Sequence, residues 1–180
     1  LLPDGSRRGS LGEAVLDDRA ARAAAAAIRE GASGVHSLQA TSGEVQAFVE
    51  ILRPPVRLVV CGAGHDAIPV VHLASQLGWR VVVVDSRDRF LTRDRFPGAY
   101  QFIKAEPVAA AGRLPVDDRT YVVVMTHNYL HDRDLLRGLL QTQAAYVGML
   151  GPKVRTQQIL DDLRRDGVAL TDGDRARIFG

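Results

Sequence analysis

Gly62, Gly64 and Ala67 stand at G-x-G-x-x-A spacing within "VVCGAGHDAIPVV", residues 59–71. Where a strand turns into a helix, the first glycine of this spacing makes the turn and the second lets backbone approach a pyrophosphate. The small third residue lets helix and strand touch. Asp85 closes a later apolar run, 21 residues past Gly64, where a carboxylate can hydrogen-bond a ribose 2′-hydroxyl. Arg87 beside it can instead meet a phosphate. Packing gives a second account of the same residues, with glycines that only turn the chain and an aspartate that only caps a loop.

His65 and Asp66 occupy the start of the following helix, where free N–H groups attract anions. Asp66 either caps that helix, filling donors that a phosphate would use, or faces a ligand. His65 is either a donor to an oxyanion or a solvent-facing loop residue. A second cluster, "VVVMTHNYLHD" at 122–132, sets Thr126, His127 and Asn128 at the end of a buried strand, the edge at which open α/β sheets bind ligands. His127 and His131 lie four apart, but no third ligand has a fixed spacing, so no metal site is expected. Asp132 is expected to cap the next helix. A third cluster, "YVGMLGPKVRTQQIL" at 146–160, offers Gly148 and Gly151 for close backbone approach and Pro152 for the first helical position. Arg155, in the first turn, is an anion partner or a solvated helix residue.

These residues need a sheet to gather them. "RLVVCG", "RVVVVD", "YVVVMT" and "AYVGML" are short runs apolar on both faces, as buried parallel strands are, with a weaker "YQFIKA" among them. Helical stretches at about 66–77, 132–143 and 153–165 alternate with them, which predicts a doubly wound, mainly parallel sheet of five strands from about residue 56. The segments 62–66, 85–87, 126–128 and 148–151 should then meet at one sheet edge. Upstream, residues 17–31 read as a helix closed by Gly31, followed by a hairpin around Thr41-Ser42-Gly43. Pro54-Pro55 blocks helix and central strand alike and sets a domain boundary there.

A chain of 180 residues with 46% hydrophobic content is globular and can hold one medium domain with part of another. Its 23 basic residues include only Lys104 and Lys153 as lysines. They are interleaved with 21 acidic ones for a net charge of +2, so no basic stripe points to nucleic acid. The one cysteine, Cys61, excludes an internal disulfide and a thiolate zinc cluster. It is expected to be an inert core thiol in a reducing compartment, with the cytoplasm as the default. No apolar run approaches the roughly twenty residues that cross a bilayer. A first residue that is Leu1 and an end at "RIFG" read as cut chain ends.

The strings "LVVCGAGHDAIPVV", "LGWRVVVVDSRDRF", "FPGA", "VVVMTHNYLHDRDLLRGLL" and "YVGMLGPKVRTQQIL", in this order, resemble the Rossmann domain of the xanthine dehydrogenase accessory proteins, the XdhC/CoxI family. The resemblance covers roughly residues 55–180. It implies an α/β Rossmann-like domain over 54–180, truncated at its C-terminus, behind a remnant of a small α+β N-terminal domain over 1–53. It also implies a non-catalytic maturation factor that binds and protects molybdenum cofactor, in mononucleotide or dinucleotide form. Such a factor passes the cofactor to the apo-enzyme of a xanthine or carbon monoxide dehydrogenase-type hydroxylase, in some cases with sulfuration by a cysteine desulfurase, and can pair as a homodimer. The ligand-facing residues implied are Gly62, Gly64, His65, Asp66, Asp85, Arg87, Thr126, His127, Asn128, Gly148, Gly151 and Arg155. Where many members carry a cysteine near the N-terminus, this chain has Gly12-Glu13, so a persulfide role lacks its thiol. The glycine loop and Asp85 also suit an NAD(P)-dependent oxidoreductase, and a nucleotide-binding regulatory domain is a third reading.

Overall fold

The computed structural model describes Leu2 and residues 4–180. The chain divides into two compact units, one ending at Pro54 and one beginning at Pro55. In the first unit the alanine-rich segment forms α1 (Ala14–Glu30), three residues longer at its start than the sequence suggests. Gly31 closes it in the left-handed conformation, φ 67°, with its N–H bonded to the Ala27 carbonyl. The hairpin follows as β1 (Gly34–Ala40) and β2 (Gly43–Val49), antiparallel, with Leu38 buried.

The second unit runs β3 (Arg57–Cys61), α2 (Ala67–Gln76), β4 (Arg80–Asp85), β5 (Gln101–Lys104), α3 (Pro107–Ala110), β6 (Thr120–Val124), α4 (Tyr129–Leu139), β7 (Tyr146–Met149), α5 (Lys153–Arg165), α6 (Asp172–Arg177) and β8 (Ile178–Phe179). Its sheet has the order β5-β4-β3-β6-β7-β8, and every neighbouring pair is parallel. The doubly wound parallel sheet is thus as expected, with six strands in place of five. The added strand is the two-residue β8, too short for any periodicity to announce. From β3 the chain winds outward through β4 and β5, then returns to wind the other way through β6. The switch between β3 and β6 leaves a crevice at the carboxyl ends of the strands.

The β-branched runs bury both faces. Val59, Val82, Val84, Val122, Val124 and Val147 pack against Leu135, Leu136 and Leu139 of α4 and Ile159 and Leu163 of α5. Leu58, Val60, Val81 and Val83 face the other way, onto Ala67, Val71 and Ala74 of α2 and onto Phe96. Each fully buried Val or Leu contributes about 1.5–3 kcal/mol against exposure, so these two layers hold the strand ends in place. Near the amino ends of the strands an aromatic row runs Trp79, Tyr121, Tyr146 and Phe179, with successive ring centroids 6.4, 6.1 and 5.0 Å apart.

Candidate functional site

Parallel pairing brings the ends of β3, β4, β6 and β7 to the same sheet edge, so the glycine loop, Asp85, the 126–128 corner and the 149–151 turn share it. Gly62 sits at φ 121°, a conformation that suits only glycine, and a Cβ there would stand 2.6 Å from the Met125 carbonyl oxygen. Close approach of β6 already demands this glycine. Gly64 is not at positive φ; an added Cβ would meet the Asp66 carboxylate at 2.6 Å.

Asp66 holds the N-cap position of α2, yet its side chain makes no capping hydrogen bond. Its Oδ2 lies 2.6 Å from His127 Nε2, so the capping role read from the sequence gives way to a carboxylate–imidazole pair. His127 is the one non-glycine residue at positive φ among the described residues, φ 60°. That backbone, costing about 1–3 kcal/mol, swings its ring across to the α2 side. Both members remain open to solvent, at 62% and 37% side-chain exposure. His65 is exposed, and among the described residues its ring has no bonded partner.

The helix after β6 begins at Tyr129, three residues earlier than expected, because Asn128 caps it: Asn128 Oδ1 accepts from the Leu130 and His131 N–H groups at 3.0 and 3.2 Å. Asp132 is therefore inside the first turn and not its cap. Its residue surface is 1% exposed, and it accepts 2.6 Å hydrogen bonds from Thr126 Oγ1 and from Arg155 Nη2. Arg155 thus spends its charge on a buried carboxylate, and its Nε is buried without a partner. Asp132 was missed as a site residue because one aspartate in the first turn of a helix looks like any other; only the packing reveals its burial.

Asp85 is also buried. Its Oδ2 accepts from the Ala63 N–H and Arg87 Nη2, and its Oδ1 from the Arg87 N–H and Nε, all at 2.8 Å. Burial acts to raise its pKa, and the bonds from Arg87 and Ala63 outweigh it and hold the group below the ordinary value. The Arg87 guanidinium, its own pKa raised by the bond to Asp85, lies over the Phe90 ring at 4.4 Å.

Beside this pair opens a cleft of about 210 Å³, lined by Gly62, Asp85, Arg87, Thr126, Asn128 and His131 together with an apolar wall. It takes in five of the twelve residues expected to face a ligand, and adds His131, which the sequence raises only as a metal ligand. Gly64, His65, Asp66, His127, Gly148, Gly151 and Arg155 do not line it. Gly148 lies within β7, where a Cβ would strike the Tyr146 ring at 2.8 Å, so its smallness serves packing. Gly151, at φ 136°, turns the chain into α5, with Pro152 one residue before that helix. Cys61 ends β3 buried, its thiol pushed up to about 12 by burial and then by the Asp132 charge, which makes it a poor thiolate source. Among the described residues no group of three His, Cys, Asp or Glu could hold a metal, and no helix is long and apolar enough to cross a membrane.

A family model described as the XdhC Rossmann domain matches residues 58–179. A protein of Bacillus subtilis (strain 168) named as a probable xanthine dehydrogenase subunit is 34% identical over 113 residues, 63% of this chain and 34% of that protein. The uncharacterized protein YqeB of Escherichia coli (strain K12) is 31% identical over 142 residues, 78% of this chain and 26% of that protein. The chain thus spans about a third or less of the length of these curated relatives. A crystal structure of a xanthine dehydrogenase from Bacillus halodurans superposes with a TM-score of 0.60 at 26% identity, covering 83% of this chain and 57% of that one.

Proposed function

The chain belongs to the XdhC Rossmann domain family, and from that premise we propose that it binds molybdenum cofactor and delivers it to a xanthine or carbon monoxide dehydrogenase-type hydroxylase in the cytoplasm. Two of the relatives carry xanthine dehydrogenase in their names, which supports an association with such an enzyme. The observation that carries the reading is the state of Asp85. An ionised carboxylate has about four lone-pair positions, and here Ala63 and Arg87 take them all. A nicotinamide dinucleotide without a 2′-phosphate would find its ribose acceptor spent, whereas the phosphate of a molybdopterin meets donors.

The residues present fit the organic part of that cofactor. Arg87, Asn128 and His131 would hold its phosphate end, and the apolar wall would take its ring. When bound, the cofactor would supply the metal that the recipient enzyme uses; this chain's part is to grip, orient and shield. Sulfuration through this chain is disfavoured, since its one thiol is buried and holds its proton. An NAD(P)-dependent oxidoreductase is the second reading, favoured by the strand order and the glycine loop.

Protein isolated from cells that make molybdenum cofactor tests the two. Native mass spectrometry and the fluorescence of the oxidised, released pterin should find about one pterin per chain, with the hydroxylase apo-enzyme displacing it. A retained nicotinamide dinucleotide, or substrate-dependent NAD reduction without bound pterin, overturns the delivery reading.

A further inference from the structure

We propose that the cleft beside α3 and α4 is a subsite for a phosphate monoester on a small apolar or planar body, and that Arg87 sets this preference by closing Asp85 to ribose. The inference rests on the delivery reading's cleft and deepens it, naming the ligand chemistry that the cleft selects and the residue that selects it.

Arg87, Asn128 and His131 give the cleft three side chains with donors to spare, beside the hydroxyls of Ser86 and Thr126. Asp85 is its one acidic lining residue, and that carboxylate is saturated and almost wholly buried, at 5% side-chain exposure. Arg87 has five N–H donors; Nε and Nη2 point back to Asp85, and Nη1 bonds nothing among the described residues. The Phe90 ring beneath holds the guanidinium plane. Asn128 has its oxygen committed to the helix it caps, which leaves the amide nitrogen as a donor. The His131 ring, one turn along α4, has no bonded partner among the described residues. Three donors of this kind around one opening match the oxygens of a phosphate, and arginine is the residue whose fork grips it best.

Much of the remaining lining is apolar: Val84, Ala105, Pro107, Ala110 and Leu135. At about 210 Å³ the space is below the roughly 300–1,000 Å³ of sites that enclose a whole ligand. It therefore receives one end of a molecule, a phosphate with the ring or chain next to it. A ribose diol would need to donate to Asp85, and only loss of Arg87 would free that acceptor. The same arginine therefore recruits one chemistry and refuses the other.

Titration calorimetry with two probes, phenyl phosphate and adenosine, tests this on the whole chain. Wild type should bind phenyl phosphate and show no heat with adenosine at the same millimolar concentrations. R87A and H131A should each weaken phenyl phosphate by roughly tenfold, as loss of one charge-assisted bond predicts. R87A alone should gain adenosine binding. H131A leaves the Asp85 clamp untouched, so it keeps the test decisive should R87A melt early in a thermal scan. The proposal falls if wild type ignores phenyl phosphate, if folded R87A and H131A both bind it as wild type does, or if folded R87A gains nothing for adenosine.

Discussion

Asp85 and Asp132 are both buried carboxylates at the carboxyl edge of the sheet, and each draws an arginine in from outside, yet the two pairs are built differently. Asp85 is gripped by Arg87 from its own loop, two residues away, with backbone N–H groups completing the shell. Asp132 is held by Thr126 and by Arg155 from a different helix, through one bond each, and Arg155 leaves its Nε buried and unbonded. The first pair is local and saturated; beyond the Ala63 N–H bond that joins Asp85 to the glycine loop it ties no elements together, and it shapes a cleft. The second pair is long-range and ties α4 to the end of β6 and the start of α5. One is therefore placed to choose a ligand, and the other to keep the edge assembled.

Removing Asp132 should do the most harm. Breaking a buried ion pair typically costs about 3–5 kcal/mol, and because the Arg155 side chain keeps 29% exposure we expect about 3 kcal/mol for Asp132→Ala in denaturant unfolding. A loss under about 1 kcal/mol would erase the distinction between the pairs. Asp85→Asn keeps an acceptor for the Ala63 N–H but discards the charge facing Arg87. Hydrogen bonds to charged groups are worth about 1.5–3 kcal/mol, and Arg87 is half exposed and screened, so about 1–2 kcal/mol is expected.

That second loss should depend on pH. Burial pushes the Asp85 pKa up, and the bonds from Arg87 and Ala63 more than reverse it, leaving the folded value below the unfolded one. Its contribution is complete above the unfolded value, near 3.9, and disappears as pH falls through the lower folded value. The stability gap between wild type and Asp85→Asn should stay constant from neutral pH to about pH 5 and close only below about 3.9. A gap that already shrinks near neutral pH would assign the effect to another group. The smallest effect belongs to the exposed pair. His127→Gly relieves the positive φ but gives up a solvent-exposed contact with Asp66 and adds backbone freedom, so the net change should stay within about 1 kcal/mol. A larger loss would put the Asp66–His127 pair among the structural ties.

The parallel sheet was legible because its strands are unbroken β-branched runs, and helix α5 because Gly151 and Pro152 mark its start. What escaped reading has local physical causes. Asn128 starts α4 early with a side-chain bond that no periodicity encodes, and this moved Asp132 from the expected cap position into the first turn, where it is buried. Gly148 looked like a ligand-approach glycine, but its neighbour's ring decides its size. The cleft itself needed Ala105, Pro107, Ala110 and Leu135, residues without chemistry of their own, which a search for reactive side chains passes over.

The aromatic row has a practical consequence in optics. Trp79 is the chain's one tryptophan, and all four tyrosines fall beyond Pro55, while the first unit's aromatic content is Phe48 alone. Tyr146 lies 6.1 Å from Tyr121, which in turn lies 6.4 Å from Trp79, so light absorbed by tyrosine should emerge from the indole while the sheet is intact. Fluorescence excited at the tyrosine band is therefore a built-in gauge of the second unit, which holds every tyrosine and the tryptophan.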